Sequence, residues 1–220
     1  HNIGILNFRG KILLYYLQAR MSKQRKNSGL KPKVKMSDQS PPKGSIMHLA
    51  LALVVCVVVF FNSLQNGFVN WDDPANFLDN PWIANPDNLG FFDRIAGIFT
   101  SDVLGNYNPL SIASFMIDKA LFGFENPMGW HLINLLLHLL VVSLVFKLFI
   151  RLGFPSMIAL IGAIIFGVHP MHVESVAWVT ERKDVLYSAF YFGALLQYMK
   201  YRKQKSRSTI LSVYLLFVLA

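Results

Sequence analysis

Two adjacent carboxylates, Asp72 and Asp73, stand between Trp71 and Pro74 in the stretch NGFVNWDDPANFLDNPWI, directly after an uncharged apolar run. Neighbouring carboxylates repel, so one tends to hold its proton or a cation sits between them. Either outcome suits a general base or a Mg²⁺ or Mn²⁺ site. Asn, Asp and Pro are also what a tight turn needs, so both readings stand on the residues alone. A second polar segment, HPMHVESVAWVTERKD, gathers His169, His172, Glu174, Glu181, Arg182, Lys183 and Asp184 within residues 169–184. His169 and His172 could ligate a metal, although they lack the HExxH spacing that makes a zinc site specific. Arg182 and Lys183 could hold a phosphate through charge-assisted hydrogen bonds. Local pairing with Glu181 and Asp184 would account equally for these charges.

Three weaker constellations accompany these. His131, Asn134 and His138 follow one another at i, i+3 and i+7 inside an apolar run and share one helical stripe. Polar groups in a bilayer face the bundle interior, where they serve function or interhelical hydrogen bonding. The latter suits His138, which lies deeper, and His131 stays open. In GNYNPL, Tyr107 and Asn108 could offer a hydroxyl and an amide to a sugar, or Pro109 simply starts a helix. Trp71, Trp82, Trp130 and Trp178 fit an interfacial aromatic belt better than a sugar-stacking platform.

The elements that carry these residues are membrane helices. The chain is 54% hydrophobic and only 15% charged across 220 residues, where a soluble domain carries about 25% charged residues. Spans are expected at about 46–64, 128–150, 155–168 and 185–201, with the start of a fifth at 209–220. Polar segments 65–127 and 169–184 connect them, and Leu110 to Phe122 reads as a short amphipathic helix within the first. The expected fold is all-α, a polytopic membrane helical bundle. Residues 1–45 read as a basic, disordered tail, of which 1–20 need not be native, and the apolar run at the C-terminus reads as cut short. A single cysteine, Cys56, excludes an intrachain disulfide.

The net charge of +9 is not spread evenly. Ten basic residues precede residue 46, and five more lie between Lys200 and Arg207. Beside apolar runs such clusters mark cytoplasmic flanks rather than nucleic-acid binding. With the N-terminus in the cytoplasm, the outer segments hold only Arg94, Lys119, Arg182 and Lys183. Both WDDP and HPMHVESVAWVTERKD then share one extracytoplasmic face.

FVNWDDPANFLDNPWI, NYNPLS, GWHLINLLLHLL and HPMHVESVAWVTERKDVL, in this order, resemble the membrane part of TMTC-type proteins, most closely bacterial ones. These carry C-terminal tetratricopeptide repeats and belong to the GT-C glycosyltransferase superfamily. The resemblance implies a GT-C-like membrane domain in a bacterial inner membrane, with residues 65–127 and 169–184 in the periplasm. It implies transfer of a sugar from a polyprenyl-phosphate donor to a protein Ser/Thr hydroxyl or another acceptor. The family's first-loop acidic motif falls on Asp72 and Asp73, and its second-loop pattern on His169, His172, Glu174, Arg182 and Asp184. This chain has Asn108 where relatives often carry His or Arg. The rival reading is a non-catalytic anchor for a repeat array in envelope assembly. A transporter using His131 and His138 ranks behind both, because the broken-helix and repeat signals are missing.

Overall fold

A computed structural model describes residues 44–84 and 89–220. The basic tail read from the sequence lies outside the described residues, apart from its last two positions. Among those described, the architecture is all-helical, relieved only by an isolated antiparallel bridge between Val103 and Asn106. Helix α1 (Ser45–Phe60) runs on through a 3₁₀ turn (Phe61–Gln65). The first polar segment contains a π-helical turn (Pro74–Leu78), the single turn α2 (Pro81–Ala84), α3 (Phe91–Thr100) and α4 (Pro109–Phe122). There follow α5 (Pro127–Arg151), α6 (Ser156–Gly167), α7 (Val173–Ala177), α8 (Arg182–Gln204) and α9 (Arg207–Leu219).

Two of these are long and apolar enough to cross a membrane, Ser45–Gln65 with 21 residues and Pro127–Arg151 with 25. A third is possible as a broken span, since α6 and the Pro170–Ala177 segment meet at a bend of 53°. Pro170 causes that break, because it cannot donate to the helical ladder. Helix α8 has the length of a span, but its tyrosines, Gln197 and terminal charges make it less apolar than α1 or α5. Prolines at the first turn open α4 and α5, where the missing N–H costs nothing. Gly123 closes α4 at φ 65°, a left-handed position that an L side chain resists, and donates to Lys119 O at 3.0 Å.

The bundle packs through small residues. Ala52 and Cys56 of α1, Val142 and Phe146 of α5, and Ala159 and Ala163 of α6 form one buried cluster. Small side chains let helix backbones approach closely, as membrane helices do when lipid supplies no hydrophobic drive. The approach is tightest at Gly167, where a Cβ would strike Cys56 Sγ and lie 3.1 Å from Val142 Cγ2. His138 lies at 2.8 Å from the Gly167 carbonyl through Nε2, joining α5 to the end of α6. A terminal helix carbonyl lacks an intrahelical partner, and the imidazole supplies one. This is the interhelical bonding expected of His138. A second cluster lies under the first polar segment, where Phe77, Ile83, Ile98, Ile112 and Phe115 pack around Trp130 and Val179.

Substituting Gly167→Ala should overpack the α1–α5–α6 contact and cost about 1–3 kcal/mol. Thermal unfolding in detergent should record a lower midpoint, and adding Cys56→Ala should restore part of it.

Candidate functional site

The two polar segments meet at one end of the bundle, and Asp73 is the residue that joins them. Its carboxylate is fully buried. Oδ2 accepts from Val69 N at 2.7 Å, within its own loop. Oδ1 accepts from Trp178 Nε1 at 2.8 Å and from Thr180 Oγ1 at 2.5 Å, both in the second segment. Trp71 and Trp178 also pack against each other, 6.2 Å between centroids. A buried carboxylate is tolerated only when its lone pairs are engaged in this way.

Asp72 stands in the opposite situation. Its backbone is pinned, since its carbonyl accepts from both N and Nδ2 of Asn76 at 2.9 Å. The carboxylate itself is half-exposed and receives no hydrogen bond among the described residues. A π-turn follows the pair, closed by Asp79 N to Pro74 O at 2.8 Å.

Arg182 is enclosed. It has no exposed side-chain surface, and every face of the guanidinium is engaged. Nε donates to Asn134 Oδ1 at 2.7 Å, Nη2 to the Trp130 carbonyl at 3.0 Å, and Nη1 meets Asp118 Oδ2 at 2.5 Å and Ser114 Oγ at 3.3 Å. The Phe115 ring lies 4.7 Å beneath it. Asn134 passes the connection on, donating through Nδ2 to Trp178 O at 3.0 Å. Burial pushes the Asp118 carboxyl up to about 6, against the pull of the Arg182 guanidinium. The phosphate-holding role expected of Arg182 meets this geometry badly, because a phosphate would have to displace an internal carboxylate. His131 lies buried on the same α5 stripe as Asn134, one turn away.

The neighbouring cation is the accessible one. Lys183 keeps about a third of its side chain exposed (31%) and pairs with Glu181 at 2.9 Å. Burial pulls its ammonium down, but Glu181, Asp184 and Asp72 together raise it, so it stays charged. Asp184 accepts from Ser175 Oγ at 2.8 Å. With His172, Ser175 and Asp184 line a cavity of about 670 Å³, reaching Tyr187 and Tyr191 of α8 and His138 at its floor. His169 is exposed and caps the turn by accepting from Met171 N at 3.3 Å, and Glu174 is exposed nearby. Asn108 accepts from Tyr187 OH at 3.4 Å, while the exposed Tyr107 donates to the Phe99 carbonyl at 3.0 Å. Tyr107 and Tyr187 share the wall of a second cavity of about 420 Å³.

The sequence reading therefore named one cluster that the fold assembles (Asp72, Lys183, His172 and Asp184) and one that it spends on structure (Asp73 and Arg182). It missed Thr180, Ser175 and Tyr187. Tyr187 had a signal, being four residues after Lys183 and so on the same helical face. Among the described residues no three His, Cys, Asp or Glu side chains converge as metal ligands. Asp73 also presents to N–H and O–H donors the lone pairs that a cation would need, so the residues present do not fit a Mg²⁺ or Mn²⁺ site on this pair.

Apolar helices of spanning length, with polar segments folded together over one end, define a helical membrane protein. No family model matches the chain, and no solved structure does. Curated relatives do match. Mouse protein O-mannosyl-transferase TMTC3 is 35% identical over 68% of this chain, the human TMTC3 protein 31% over 71%, and human protein O-mannosyl-transferase TMTC1 32% over 71%. The chain is a member of the TMTC-type group. It spans only 17–18% of the length of these relatives.

Replacing Arg182 with Met should leave Asp118 buried without its cation and Asn134 and Trp130 without their donor, at a cost of about 3–5 kcal/mol. Arg182→Lys should not restore it, since an ammonium cannot reproduce the guanidinium fork. Unfolding of the two variants in detergent, measured beside Lys183→Gln, should show a large loss only at position 182.

Proposed function

We propose that this chain forms part of a membrane glycosyltransferase of the GT-C type, which moves a sugar from a polyprenyl-phosphate donor to a protein Ser/Thr hydroxyl. The observation that carries the reading is the division of labour at the joined loops. A free carboxylate on a rigid backbone, Asp72, lies in the field of an accessible ammonium, Lys183, beside a cavity lined by His172, Ser175 and Asp184. The names of the relatives, protein O-mannosyl-transferases, support a protein acceptor and a mannose-like sugar.

Glycosyl transfer breaks the bond between the anomeric carbon and the phosphate oxygen and forms one to the acceptor oxygen. Asp72 takes the proton that the acceptor hydroxyl loses, as a general base. The bond pair leaves with the polyprenyl phosphate, and Lys183 stabilises the charge that develops there. Tyr187 lines the cavity and donates to Asn108, so that a hydroxyl and an amide there can orient a sugar. The donor's lipid keeps the reaction at the membrane surface. The uneven distribution of basic residues supports an extracytoplasmic site with the N-terminus in the cytoplasm.

One observation favours a second reading. The enclosed Arg182 leaves the site one cation poorer than expected, which suits a membrane anchor whose GT-C core no longer catalyses. The full-length protein, assayed for transfer from polyprenyl-phosphate sugars, separates the two. Asp72→Asn should lower turnover by about 10²–10⁴-fold with an unchanged unfolding midpoint, and Lys183→Gln should raise the donor KM. Wild-type turnover in Asp72→Asn would remove Asp72 from the mechanism, and a wild-type protein with neither transfer nor donor binding would favour the anchor.

A further inference from the structure

The segment from residue 65 to 127 carries eight acids and only two basic residues, Arg94 and Lys119. Twenty-five positions apart in the chain, both end on the rim of a single cleft of about 350 Å³ between α3 and α4. Phe91, Met116, Ile117 and Leu121 form its walls. Neither cation is in an ion pair among the described residues. Arg94 uses Nε on the Trp82 carbonyl at 2.7 Å and spends neither Nη on a hydrogen bond there. Lys119 lies over the Phe124 ring, 3.7 Å from its centroid. The nearest acid in sequence, Asp93, turns its carboxylate back to Gly90 at the start of its own helix.

The walls of the cleft, together with the adjoining Phe92, leave an apolar face open. Phe92 is 83% exposed, Leu121 66%, Phe91 60% and Ile117 56%. This face adjoins the start of a helix of membrane-spanning length. Helix α4 ends at Phe122, and the long apolar helix α5 begins at Pro127, so the cleft sits where α5 enters its apolar run. Aromatic and aliphatic side chains below two cations match an acyl chain below a phosphate-bearing headgroup. A soluble anion would use the cations and leave the phenylalanines in water.

We propose that the α3–α4 cleft is a binding site for an anionic phospholipid, its phosphate held by Arg94 and Lys119 and its acyl chain laid along Ile117, Leu121 and Phe91. The site is separate from the joined loops around Asp72 and Lys183, and it does not depend on sugar transfer. Bound lipid anchors α3 and α4 flat against the bilayer and holds the first polar segment at a fixed height over the bundle.

Native mass spectrometry of the full chain, released from nanodiscs of phosphatidylcholine with one-fifth phosphatidylglycerol, reads the site directly. The wild type should retain phosphatidylglycerol about tenfold over its share of the bilayer, and the Arg94→Gln/Lys119→Gln pair should lose that preference. Because Arg94 also supports Trp82, Lys119→Gln alone serves as the arm least able to disturb folding, and it should lose several-fold. Leu121→Asn should weaken retention with both cations intact. Unchanged preference in Lys119→Gln and in the pair would overturn the proposal. So would equal displacement of the lipid by millimolar inorganic phosphate, which would identify a soluble anion as the occupant.

Discussion

The end of the bundle that carries the candidate site depends on one buried guanidinium. Taking an arginine and an aspartate out of water costs several kcal/mol for each ion, and their attraction offsets this only when the remaining donors are also satisfied. Arg182 meets that condition through Asp118 and Ser114 of α4, and Trp130 and Asn134 of α5. Three helices that also pack through apolar side chains such as Phe115, Trp130, Leu135 and Val185 are thereby tied to one polar point. The position makes no sense as helix stabilisation, since a cation at the first turn of α8 opposes the helix dipole. It is there for tertiary reasons, and it fixes the start of α8 in angle and in register.

That register determines what the neighbours do. Successive residues on a helix project about a third of a turn apart, so an inward Arg182 turns Lys183 and Asp184 away from the core. Lys183 reaches Glu181 and the field of Asp72, and Asp184 reaches Ser175 at the cavity. A residue locked into structure and a residue free for chemistry thus come from adjacent codons, the first aiming the second. Asp72 and Asp73 repeat the arrangement in the other loop. Asp73 binds the loops together with two hydrogen bonds and braces its own loop with a third, and Asp72, carried on the same pinned backbone, keeps its carboxylate open. In both loops the structural member is the more deeply buried one, because only burial makes a charged hydrogen bond strong enough to hold two segments.

How far this was legible in the residues varies with the physics involved. Apolar runs of about bilayer length read directly as α1 and α5, and Pro109 marked the start of α4. The His131–Asn134–His138 stripe was visible as one inward face, and two of its members indeed make interhelical bonds. Helix α8 was harder, since tyrosines and a glutamine dilute its apolar character. The partners Thr180, Ser175 and Tyr187 carried no local pattern, because a hydroxyl serves a distant carboxylate as readily as it serves its own backbone.

By itself, then, the sequence determined that this protein is a helical membrane bundle and which of its residues carry charge. Those properties follow from transfer free energies and helical period, which act locally. Only the tertiary structure decided which of two adjacent aspartates is free and which of two adjacent cations is buried. The reason is that a charge's role depends on the solvent it keeps and the partners it meets. Both are set by residues as far as a hundred positions away.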